Sequence, residues 1–284
     1  MSLPLALLLH DAARLSPDEF SVHLSTVIGL VGLGALYLWR ARHAPAVEAG
    51  RSPTTAQRAM FFLGLATIFL SLNGWLHDAS DFYLFSAHMV QHLVLTLVAP
   101  PLLIMGTPGW MLRPALRWPG VGAVARFITK APAAFAIFNV VLVTWHLPVM
   151  YEFALEHHPV HIIQHLCFMI AATLMWWPVL SPMPELPRLS YPLQMLYLFL
   201  MTIPMSITAV CIGYANHALY PFYAAAPRLW GITPMQDQLI GALIMWIPGG
   251  LFFFAVISVI FFRWQQAGGD SAEVAQVGWA GATR

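Results

Sequence analysis

Ala87-His88-Met89-Val90-Gln91-His92-Leu93 runs straight into an apolar stretch, and Val160-His161-Ile162-Ile163-Gln164-His165-Leu166 does the same further along the chain. Each copy sets two histidines four residues apart, with Gln before the second and Leu after it. On a helix, residues at that spacing share a face with Cβ atoms about 5–6 Å apart, close enough for two imidazoles to hold one metal ion. Imidazole in or beside a membrane is costly and needs a partner, so paired histidines on apolar helices point to function.

The apolar runs decide the fold class. The chain has 284 residues, 59% hydrophobic and only 9% charged, where soluble proteins carry about 25% charged residues. This is the composition of an all-α, polytopic membrane protein embedded in a lipid bilayer. With a net charge of +1 and dispersed basic residues, nucleic-acid binding has no basis. Seven stretches can cross about 30 Å of hydrocarbon as helices: 22–39, 59–76, 86–105, 132–149, 161–180, 191–214 and 237–262. Residues 1–262 then form one seven-helix transmembrane domain, and 263–284 reads as a disordered tail. Met1–Leu9 is apolar but short and lacks a positive flank, so a cleaved signal peptide is not expected. Cys167 and Cys211 sit in separate apolar segments without a CxxC, which leaves their pairing, or a part in a metal site, open.

Charge sets the expected orientation. Eleven of the 13 Lys and Arg residues fall on one side of such a topology, and only Arg14 and Arg228 on the other. The positive-inside rule then places the N-terminus outside and the C-terminus in the cytoplasm. Of the 12 histidines, all but His43 fall at the outer side. Neutral histidine is no topology signal, so this second polarity is independent of the first. The paired motifs also belong to a weak repeat: Trp75-Leu76-His77 precedes His88 and His92, and Trp145-His146 precedes His161 and His165. Helices 3 and 5 would run parallel with their histidine ends at one depth.

The candidate metal ligands are therefore His77, His88, His92, His146, His161 and His165. Gln91 and Gln164 can orient imidazole N–H groups from behind. Asn73, four before His77, and Asn139, seven before His146, are expected on the same helix faces as those histidines. Asp237 is the acid at the outer start of helix 7, read equally as a supporting ligand or a helix cap, while Asp78 and Asp81 read as solvated loop residues or caps. Lone His10, His23 and His217 read as structural, and His157 and His158 as loop residues that recruit metal or face solvent. Imidazole suits Zn, Cu, Fe and Ni, and nearby thioethers such as Met89 tilt the choice modestly to copper. Zinc and haem stay as alternatives: an intramembrane zinc hydrolase, or a redox protein with a single haem between helices 3 and 5. A haem would leave one histidine of each pair idle, and no serine or glutamate stands well placed for hydrolysis. Pro100-Pro101 is expected to kink helix 3, Pro178 and Pro182 to end helix 5, and Tyr220, Tyr223 and Trp230 to sit in the interfacial aromatic belt.

Four segments together resemble the seven-helix cytochrome c oxidase assembly factors of the CtaG type, associated with caa-type oxidases. They are Ser86-Ala87-His88-Met89-Val90-Gln91-His92; Ala99-Pro100-Pro101-Leu102-Leu103; His161-Ile162-Ile163-Gln164-His165 with Trp176-Trp177-Pro178; and Asp237-Gln238-Leu239-Ile240-Gly241-Ala242-Leu243-Ile244-Met245-Trp246-Ile247-Pro248-Gly249. The resemblance runs from helix 2 to helix 7. It implies a multi-pass protein of the bacterial inner (cytoplasmic) membrane whose site faces outward and which is needed to make an active haem-copper oxidase. Its implied role is copper handling, as an assembly factor or metallochaperone rather than an enzyme. The implied partners are the haem-copper oxidase subunits and an extracytoplasmic copper donor. A metal-free structural partner of the oxidase is the remaining alternative.

Overall fold

The computed structural model describes residues 20–43 and 52–281, with side chains up to 268. The readings made of Met1–Leu9, His10 and Arg14 lie outside those residues. In chain order the helices are α1 Leu24–Arg42, α2 Thr55–Ser71, α3 Trp75–Phe82, α4 Phe85–Leu93, a π-helical turn Val94–Val98, α5 Ala99–Gly106, α6 Gly109–Leu116, α7 Val121–Ile128, α8 Ala131–His146, α9 Pro148–Glu156, α10 His158–Leu180, α11 Tyr191–Gly213, α12 Pro221–Ala225 and α13 Pro234–Gly281. No strand occurs among the described residues. Five helical segments are long and apolar enough to span a membrane, and the count reaches seven if α2 with α3 and α7 with α8 each make one bent span.

Each departure from the expected helices has a local cause. The span expected at 59–76 breaks before Trp75, because Gly74 takes φ +71°, a conformation cheap only for glycine. Its continuation turns by 45° to become α3, so part of the expected outer loop is helix. The span expected to reach 149 stops at His146, ahead of Pro148, which starts α9. The connection read as a loop at 106–131 contains α6 and α7. Pro178 does not end α10, which runs on to Leu180 and stops before Pro182. The last helix passes 262 and continues to Gly281, so the disordered tail expected from 263 is helical backbone up to that point. Ala, Gln and Glu favour helix there, and no proline follows Pro248.

The histidine-bearing rod α4–α5 shows how sequence shapes the site's surroundings. Pro100 has no N–H to give Thr96 O and crowds that carbonyl, and the helix widens into a π turn just before the proline pair. The freed Thr96 carbonyl accepts from Trp176 Nε1 of α10 at 2.9 Å, which ties the two histidine helices together one turn past the first motif and about three turns past the second. Around this pair, α11 packs along α13, α2 along α5, α8 against α10, and α4 against α13 and α3. The main apolar core runs from Phe85, Met89, Phe138 and Phe168 to Trp176, Met201 and Phe253.

Candidate metal centre

Four helices deliver the imidazoles to one place. The rings of His88 and His161 lie 5.5 Å apart, those of His88 and His165 5.8 Å, and those of His92 and His165 5.4 Å. His146, at the end of α8, stands 6.1 Å from His92. All are buried at about 5% exposure or less. His77 joins through Asp81, whose Oδ2 lies 3.3 Å from His77 Nε2 and 3.5 Å from His161 Nδ1. One ligand atom each from Asp81, His88 and His161 falls within 4.8 Å of the others, the spacing of a metal triad. A buried carboxylate is tolerated only when paired or hydrogen-bonded, and this one has two imidazoles on Oδ2 and Ser80 Oγ 3.0 Å from Oδ1.

Hydrogen bonding fixes which nitrogen each ring offers. Tyr223 Oη lies 2.6 Å from Ser80 O and 3.1 Å from His88 Nδ1. A carbonyl can only accept, and burial pushes the Tyr223 phenol well above its usual range, so it stays an O–H. Its single proton goes to Ser80, and His88 Nδ1–H donates to the phenol oxygen. His88 Nε2 is then a lone pair, facing His92 Nε2 at 2.8 Å. His92 Nε2 carries the proton of that contact, which leaves His92 Nδ1 a buried lone pair without a partner. His146 Nδ1 lies 2.7 Å from Leu142 O and donates to it, so its Nε2 is a second buried, unpartnered lone pair. His161 Nε2 and both nitrogens of His165 are also buried without partners. Unpaired buried nitrogens at this density are unusual in a folded core and are the chemistry of ligands.

The expected supporting residues divide. Gln91 does orient an imidazole: its amide donates to Ser71 O at 2.7 Å and to His77 Nδ1 at 3.0 Å, while Ser80 Oγ, whose proton goes to His77 O at 2.7 Å, lies 3.1 Å from its Oε1. His77 therefore accepts at Nδ1 and presents Nε2–H to Asp81. Gln164 does none of this, since both its amide atoms are buried without a partner. Asn73 lies across the break at Gly74 from His77; it accepts from His23 N at 2.7 Å and donates to Phe69 O. Asn139 donates to Phe135 O and reaches Met201 Sδ at 3.6 Å, so neither Asn touches its expected histidine. Met89 packs toward α13, where a Cβ on Gly241 would lie 3.2 Å from Met89 Cγ. Asp237 caps α4, accepting from Phe85 N at 2.7 Å, Ser86 N at 3.1 Å and Ser86 Oγ at 2.5 Å. The open choice between ligand and cap thus falls to the cap.

Asp81, Ser80 and Tyr223 are the members that sequence reasoning missed. The spacing His77-x-x-x-Asp81 repeats the separation inside each histidine pair, and it was readable once α3 is taken as helix. Tyr223, expected in an interfacial belt, is instead 3% exposed on the buried side of α12, and Tyr220 Oη donates to His146 O at 3.0 Å.

Two relatives are described as uncharacterized proteins, one from Mycobacterium bovis and one from Mycobacterium tuberculosis. Each is 22% identical to this chain over 197 residues, covering 64% of it. The chain spans 30% of the length of those relatives. No solved structure matches it significantly. The profile of the cytochrome c oxidase caa3 assembly factors (Caa3_CtaG) matches residues 35–267, which carry every histidine, carboxylate and phenol of the cluster; the chain belongs to that family of membrane proteins.

Proposed function

We propose that this protein holds copper in the buried histidine cluster and releases it to a haem-copper oxidase during assembly. The observation that carries the reading is the convergence of His88, His92, His146, His161 and His165 with at least five buried imidazole nitrogens lacking any protein partner. Copper is the cargo, so its ligands must let go again. Neutral imidazoles at helix ends exchange one metal–nitrogen bond for another without unfolding anything, whereas a closed thiolate site would not. The uneven distribution of Lys and Arg supports placing the cluster at the extracytoplasmic face of the bacterial cytoplasmic membrane. That is the side from which a copper donor and the oxidase subunits would meet it. Thioethers add little support, because Met89 and Met201 face the apolar core.

A single haem draws less support than an ion. The imidazoles of α4 and α10 lie 5.4–5.8 Å from one another, and Phe168 packs 4.5 Å from His92, so a macrocycle has no gap to occupy. Zinc keeps one specific observation in its favour, since Asp81, His88 and His161 make the two-imidazole, one-carboxylate set common in zinc enzymes. Elemental analysis of the purified protein decides among these. Copper in the parent and its loss from both His88→Ala/His92→Ala and His161→Ala/His165→Ala is the expected result. Zinc in its place would turn the reading to hydrolysis. Unchanged copper in both double variants would overturn it, and a metal-free parent that still supports oxidase assembly would make the protein a structural partner.

A further inference from the structure

The cluster does not end at its buried core. A cavity of about 770 Å³ lies between α1, α2, α5 and α10, and five imidazoles line it: His161, His165 and His77 at its inner wall, His23 and His158 nearer the surface. The rest of its lining is mostly apolar, including Leu30, Ile162 and Met169. His23 precedes α1 and His158 opens α10, and both are half-buried where their neighbours Leu24 and His157 are exposed. Their rings lie 6.4 Å apart, and the His23 ring meets His77 edge-on at 4.3 Å. With about 2 Å from metal to each nitrogen, a 6.4 Å separation of ring centres suits one ion held between two imidazoles.

We infer that His23 and His158 form a shallow receiving site through which copper passes along this cavity to His77, Asp81 and the buried cluster; the inference rests on the copper reading above. The physical case is continuity. Successive members from His158 to His23, His77, Asp81, His161 and His165 stand within ring or ion-pair contact of the next. A desolvated cation can move through an apolar passage only where a ligand is always in reach. At each step one copper–nitrogen or copper–oxygen bond forms as the previous one breaks. The ion stays Cu(I), and no electron changes hands. Histidines at the mouth with exposed neighbours accept the ion from a soluble carrier, and the buried ones keep it from water.

The test is transfer of Cu(I) from its bicinchoninate complex to the purified full-length protein, followed by the complex's absorbance and ended with copper per chain. His23→Ala/His158→Ala is expected to slow loading by about tenfold or more, equivalent to about 1.4 kcal/mol on the barrier, with the final copper content of the parent. Retained content also shows that the variant is folded. His23→Met/His158→Met, which keeps Cu(I) ligands at the mouth, is expected to recover the rate. His161→Ala/His165→Ala is expected to lower the final content instead. A double alanine variant that loads as fast as a copper-binding parent overturns the receiving site alone, whereas a parent that takes up no copper overturns the functional reading together with it.

Discussion

Gln91 and Gln164 occupy the same place in the two copies of the histidine motif, and their surroundings are opposite. Gln91 donates both amide protons, to Ser71 and His77, with Ser80 Oγ beside its oxygen, while Gln164 is equally buried and bonds nothing. The contrast extends along the helices. The start of α4 is capped by Asp237 from α13, and His88 is locked in one tautomer by Tyr223 from α12. By contrast, α10 begins at His158, with Pro159 in its first turn and no side-chain cap, and His165 has neither nitrogen engaged. A duplicated sequence has thus been built into one anchored half and one unanchored half. For a protein that must bind and then give up an ion, the anchored half supplies fixed geometry. The other half supplies ligands held by one protein contact alone, His161 Nδ1 with Asp81, which can change partners at little cost, and it is the half that faces the cavity.

The largest expected effect breaks this comparison at the metal. Both double variants, His88→Ala/His92→Ala and His161→Ala/His165→Ala, are expected to lose copper affinity by roughly 10- to 100-fold or more, beyond the loss seen when a group that merely orients a ligand is removed. Their thermal stabilities are expected to part. The first double removes the N–H that Tyr223 Oη accepts, leaving that phenol only its bond to Ser80 O, and opens a cavity, for about 2–4 kcal/mol. The second removes one contact, His161 Nδ1 with Asp81, and leaves that carboxylate on His77, so beyond lost packing its cost is the smaller. Equal destabilisation of the two, measured by thermal unfolding of the metal-free protein, would contradict the anchored and unanchored assignment.

The second effect falls on the anchored half alone. Gln91→Leu strands the Ser71 carbonyl and His77 Nδ1 in a buried setting, while Ser80 Oγ keeps His77 O, and is expected to cost about 3 kcal/mol. Third in size is Asp237→Ala. It removes the acceptor of two backbone N–H groups and one hydroxyl at the start of α4, with an expected loss of about 2 kcal/mol and copper content kept. Loss of copper at unchanged stability would instead make Asp237 a ligand.

How much of this was legible follows from which contacts are local. The paired histidines, their spacing and the apolar runs are properties of single helices, so the all-helical membrane fold and the convergence of His88, His92, His161 and His165 could be read directly. His146 followed from the repeat. What could not be read depends on the break at Gly74 and on distant partners. One positive φ turns α3 inward and changes Asp81 from a loop acid into the carboxylate between His77 and His161. The same break separates Asn73 from the histidine four residues on. Tyr223 and Asp237 reach the first motif across 135 and 152 residues of chain, so no local pattern announces either.

The smallest effect sharpens the comparison through its sign. Gln164 is 1% exposed with both amide atoms lacking partners, so its burial already costs the desolvation of a polar group with nothing regained. Leu is close to it in volume and asks for no hydrogen bond. Gln164→Leu is therefore expected to leave thermal stability unchanged or to raise it by up to about 1 kcal/mol, where the matching change at Gln91 lowers it. If the amide serves the metal-bound state, by turning toward His161 or His165 once an ion draws those rings inward, then copper affinity falls while the stability of the metal-free protein does not. A Gln164→Leu variant less stable than its parent without metal would show that the amide has a partner of its own, and the two copies would then be alike.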